Sequence, residues 1–133
     1  MKSKPCLALE DCKKMAAACE SEALRNGWNV AIAILDDGGH LLLLLRMDGA
    51  TPANAQNAIL KGHTAAVSRR STKIWEERIA AGRISTLSMP VMAVQGGIPL
   101  AFRGECVGGI GVSGVKSHED EQIALAGAAV LAE

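Results

Sequence analysis

Along residues 9–26, LEDCKKMAAACESEALRN, the side chains of Cys12, Met15, Ala16, Cys19 and Ala23 recur at helical spacing, and Gly27 follows where such a helix would stop. The period then changes. In NVAIAILD, residues 29–36, large Val30, Ile32 and Ile34 alternate with small Ala31 and Ala33, which predicts a strand. DDGGH is a turn, and HLLLLLRMD is its antiparallel partner. The leucine run 41–45 leaves no polar face on that second strand, so one face needs helices and the other a helix or another subunit.

Thr51 followed by Pro52 is a strong helix start, a capping hydroxyl before a proline that needs no hydrogen-bond donor. The helix it opens, through Arg70, carries a stripe of Ala55, Ala58, Gly62 and Ala65 or Ala66, small enough to admit another backbone. A second short helix is expected in STKIWEERIAAG, residues 71–82, then a loop in RISTLSMP. From Val91 the pattern returns to strands: VMAVQ, then GGIPLAF, a tight Arg103-Gly104 tip, and ECVGGIGVSG. SHEDEQ opens a final helix, with Ser117 as cap, acidic residues at the positive end of the helix dipole, and Ile123, Ala124, Gly127, Ala128 and Leu131 on its apolar face.

The resulting fold class is α+β, an antiparallel sheet of about five strands flanked by helices, in the order α-β-β-α-α-β-β-β-α. Residues 1–133 form one domain, with no linker or repeat. Trp28, Trp75 and Phe102 are the aromatic residues, so the core has to be aliphatic. Zero formal net charge excludes a general field for nucleic acid or an anionic membrane surface. The N-terminus lacks a signal-like apolar run and no segment is long enough to span a bilayer, so a cytoplasmic location is expected.

Gly109 to Gly114, GIGVSG, spells the dinucleotide-binding pattern G-x-G-x-x-G. The context contradicts it, because the residues after Gly114 have room for one helix and no second strand. Gly108, Gly109 and Gly111 are instead strand glycines, marking a bulge or the close approach of another backbone or ligand. Cys6, Cys12, Cys19 and Cys106 form no C-x-x-C pair, and His40, His63 and His118 lack metal-site spacing, so no metal site is expected. Candidate ligand-binding residues are Arg46 and Asp48 at a strand end, Lys61 and His63 on the small-residue helix, and Ser113 in the glycine-rich turn. Lys61 to Arg83 carries a surplus of positive charge, whereas Glu105, Glu119, Asp120, Glu121 and Glu133 give the C-terminal part the opposite bias; such patches would complement one another between subunits.

RMDGA (46–50), ILKGHTA (59–65), GGIPL (96–100), and GECVGGIGVSG with EDEQIALAG (104–127) resemble, in order, the GlcG/HbpS family, which includes the C-terminal domain of PduO-type cobalamin adenosyltransferases. The resemblance implies an α/β sandwich assembled into dimers or larger rings, and haem or another tetrapyrrole as ligand. It also implies an iron-ligating histidine from the first helix. This chain has none between Met1 and Gly39, so the candidate axial ligands are Cys12 or Cys19 as a thiolate, His63, or a residue supplied by another subunit.

The leading expectation is therefore an oligomeric small-ligand-binding protein for haem or another tetrapyrrole, in a redox-linked or accessory role. The alternative is a small catabolic enzyme acting on an oxo- or hydroxy-acid by tautomerisation or hydrolysis, with Asp48 or His63 as acid or base and Arg46 or Lys61 as carboxylate anchor. An assembly protein without a ligand is the third.

Overall fold

The computed structural model describes residues 1–131, so Glu133 lies outside the described residues. Helix α1 (Leu9–Arg25) leads into strands β1 (Ala31–Asp36) and β2 (Leu41–Arg46), followed by helices α2 (Pro52–Ser68) and α3 (Lys73–Ala80). A 3₁₀ helix (Ile84–Ser88) precedes strands β3 (Gly97–Phe102) and β4 (Glu105–Ser113), and helix α4 (Ser117–Ala128) comes next. The strands form one antiparallel sheet in the order β2-β1-β4-β3.

The sheet has four strands where about five are expected. The missing one is VMAVQ: residues 91–95 run as an irregular strap along α2 and α3. There the Met92 N–H donates to Thr64 Oγ1 at 2.9 Å and the Gln95 N–H to Glu76 Oε1 at 3.3 Å. Side-chain acceptors on helices take the donors that a sheet ladder would have used. RISTLSMP likewise contains the 3₁₀ turn where a plain loop is expected, and the cap of α4 is Lys116, one residue before Ser117. Its backbone N–H donates to Glu119 Oε1 at 3.2 Å.

The two sheet faces are packed differently. Against α1 and α4 lies the thick aliphatic core of Met15, Ile32, Ile34, Leu100, Ile110, Val112 and Ile123. Against α2 the sheet presents Ala31, Ala33, Leu35 and the strand glycines, and α2 answers with Ala58 and Gly62. A methyl group at Gly111 would land on the Ala58 carbonyl and the Gly62 amide, so backbone rests on backbone, as the glycines predict.

The edge strand shows what the leucine run is for. Leu43 and Leu45 pack into the thick core, but Leu41, Leu42 and Leu44 are 46%, 39% and 40% exposed. Helix α2 lies chiefly over β4, β1 and β3 and does not reach far enough to cover them. Among the described residues, no helix is long and apolar enough to cross a membrane.

Candidate functional site

Helix α2 is the element that places chemistry. Its start is fixed by a reciprocal cap, in which Thr51 Oγ1 accepts from the Asn54 N–H at 3.3 Å and Asn54 Oδ1 accepts from the Thr51 N–H at 2.9 Å. Its middle is held against β4 by the glycine contacts. Side chains on its two flanks therefore line separate depressions, with Met92 of the strap bordering both.

On one flank is a shallow groove of about 420 Å³, lined by Leu60, His63, Thr64, Met89, Pro90, Val91 and Met92. His63 is exposed, and its Nδ1 lies 2.9 Å from the carbonyl oxygen of Gly39 in the β1–β2 turn. A carbonyl only accepts, so Nδ1 carries a proton, and whenever the ring holds no second proton the Nε2 lone pair is left for a ligand. Gly39 makes room for this: its φ of +80° suits glycine, and a Cβ there would collide with the imidazole and Val67. The turn is itself pinned by Asp36, whose Oδ1 accepts from the N–H groups of Gly38 and His40 at 2.9 Å each. The His40 amide, ahead of the other turn donors, holds the Asp36 carboxyl below its usual range, against the opposing effect of burial.

On the other flank is a polar cleft of about 300 Å³. At its base Lys61 Nζ meets Asp120 Oδ2 at 2.9 Å and the Val112 carbonyl at 3.0 Å, with both residues almost wholly buried. Asp120 Oδ1 accepts from the Val115 N–H at 3.1 Å. Burial pushes the Asp120 carboxyl above its ordinary range, and the Lys61 charge opposes that shift. Asn54 Nδ2 donates to Ser113 Oγ at 3.4 Å, and Asn57 and Ser117 complete the polar wall.

The structure thus brings together Lys61 and Ser113, and sets His63 on the opposite side of Met92. Arg46 and Asp48 lie elsewhere, in a depression with Glu20, Leu24 and Asn29. Asp48 and His63 line different depressions. Cys12 and Cys19 have no solvent exposure and face the core under α1. Burial raises both thiols, Cys19 to about 12, which disfavours the thiolate that iron ligation would use. Among the described residues, no three His, Cys, Asp or Glu side chains gather as a metal cluster.

Asp120 is the site residue that the sequence alone does not single out, since it stands there only among the acidic residues at the start of the final helix and in the acidic C-terminal part. Its partner is 59 residues away, and only the packing of α2 and α4 against β4 joins them. The available signal is a carboxylate in the first turn of α4 and a lysine beside Gly62.

Comparison with known proteins agrees with this architecture. The family model described as haem degrading protein HbpS-like matches residues 7–129. GlcG of Escherichia coli is 42% identical over 134 residues, covering 100% of both chains. A crystal structure of a double mutant of HbpS from Streptomyces reticuli superposes with a TM-score of 0.89 at 34% identity, covering 100% of this chain and 92% of that one. A crystal structure of a PduOC:heme complex gives a TM-score of 0.85 at 25% identity, covering 95% of each chain.

Proposed function

The chain belongs to the HbpS-like family, and we propose that it is a haem-binding member that takes its iron ligand from His63 on α2 instead of from α1. One observation carries this reading. The Gly39 carbonyl fixes the His63 tautomer so that Nε2 is the free ligand atom, at the edge of an apolar groove. The donor set fits haem: an imidazole oriented by a backbone carbonyl, beside Leu60, Met89, Pro90 and Val91 that would cover the ring. Bound haem would supply redox or oxygen chemistry, in keeping with a redox-linked or accessory role.

The same reading includes a homo-oligomer, because Leu41, Leu42 and Leu44 leave an apolar edge that a second subunit would cover. Four free cysteines favour a reducing, cytoplasmic compartment.

Titration of the apo-protein with haemin, followed at the Soret band, tests the ligand assignment. Saturable binding should be lost or weakened about a hundredfold in His63→Ala and retained in Cys12→Ala and Cys19→Ala, the loss of one iron ligand outweighing ring contacts. A spectrum unchanged by His63→Ala would remove the proposal.

A further inference from the structure

We propose that the polar cleft on the other flank of α2 is a second ligand site, shaped for a short hydroxylated monocarboxylate. This does not rest on the haem assignment. At about 300 Å³ the cleft lies at the lower end of ligand-pocket sizes, suited to a molecule of a few carbons.

Its polar groups are only partly used by the protein. A lysine ammonium has three donors. Lys61 directs one to Asp120 and one to the Val112 carbonyl, and among the described residues no acceptor takes the third. The side chains of Asn57 and Ser117, also in the lining, make no hydrogen bond among the described residues. Asn54 and Ser113 share one long bond of 3.4 Å, leaving capacity on both. Unspent donors of different kinds therefore converge on one small space.

The buried pair itself points the same way. Two charges removed from water are a poor way to gain stability compared with apolar residues of similar volume. Lys61 and Asp120 are 3% and 2% exposed, and the pair leaves one charge-assisted donor at the cleft base. A carboxylate oxygen is the acceptor that best uses such a donor. Amide and hydroxyl groups of Asn57, Ser113 and Ser117 then read hydroxyl substituents, while Met92 and Val94 cover the carbon chain.

The test is titration of the full chain with D-glycerate, followed by amide NMR shifts, with propionate and glycerol as partners lacking the hydroxyls or the carboxylate. Glycerate should saturate at millimolar concentration or below, and each comparator should bind at least about tenfold more weakly, as expected when charge-assisted or paired hydrogen bonds are lost. Asn57→Ala and Ser117→Ala, at the partly exposed rim, should each weaken glycerate several-fold without changing haemin affinity. The double change Lys61→Met with Asp120→Leu removes both buried charges together and should abolish glycerate binding in a folded protein. If that double variant does not fold, the two rim variants decide. Absence of saturable shifts with glycerate, or binding indifferent to the rim variants, would overturn the proposal.

Discussion

The two faces of the sheet solve the same packing problem with opposite materials. Under α1 and α4 the gap is filled by long aliphatic side chains such as Met15, Ile34 and Ile110. Under α2 there is almost no gap, because Gly62 meets Gly111 and Ala58 lies over the glycine strand. Filled space supplies burial free energy and tolerates adjustment, whereas backbone contact supplies little burial but fixes position. The apolar groove and the polar cleft both lie on the flanks of the second arrangement. The protein keeps its stability on one face and its candidate chemistry on the other.

That division predicts a separation of effects. Ile110→Ala, on the thick face, should cost about 4 kcal/mol through lost burial and a residual cavity. Measured by urea unfolding, the loss should be large, yet the protein that remains folded should bind haemin nearly as the wild type does. A marked fall in its haemin affinity would break the contrast.

Gly111→Ala should cost slightly less, about 3 kcal/mol, because a methyl group there forces backbone apart. Its functional effect should be greater. Displacing α2 moves His63 away from Gly39 and Lys61 away from Asp120, so haemin affinity should fall at least about tenfold at temperatures where circular dichroism shows a folded chain, the cost of disturbing an oriented ligand. Intact haemin binding in this variant would mean that close packing does not position the site.

The smallest expected effect sharpens the comparison between the two flanks of α2. On the groove side Asp36 has a lowered pKa, so its contribution to stability is present above the usual aspartate range and is lost as pH falls through the lowered value. On the cleft side Asp120 has a raised pKa, and the sign reverses. Its contribution is fully present below the unfolded pKa and is lost as pH rises through the raised one. The stability difference between wild type and Asp36→Ala should therefore be modest at neutral pH and shrink on acidification, read from urea midpoints across pH. A difference that grows toward acid would contradict the hydrogen-bond assignment at the turn.

Much of this architecture is legible in the chain. Thr51-Pro52 and the Arg103-Gly104 tip are local signals, and the tip does turn with positive φ at both residues, 51° and 77°. The glycines of β4 are readable as places of close approach because a strand interior has little other use for them. What the chain hides is tertiary. VMAVQ has the apolar character of a strand, and nothing within it shows that Thr64 and Glu76 will claim its amides. Arg46 and Asp48 look like a polar rim, but the strand that leads to them ends away from the depressions beside α2. Lys61 and His63 both stand out in the sequence, while their separation onto two flanks comes from the helical turn and from Met92, a residue of the strap that reads as a strand.

The central claim is that Gly39 sets the His63 ring so that Nε2 is available to a metalloporphyrin. Long-range proton–nitrogen NMR of the three histidines, before and after adding gallium protoporphyrin, tests it most directly. The account predicts that free His63 is the Nδ1-protonated tautomer, and that its Nε2 resonance alone shifts to a metal-bound value while His40 and His118 stay in place. Porphyrin binding that leaves the His63 nitrogens unmoved would contradict it.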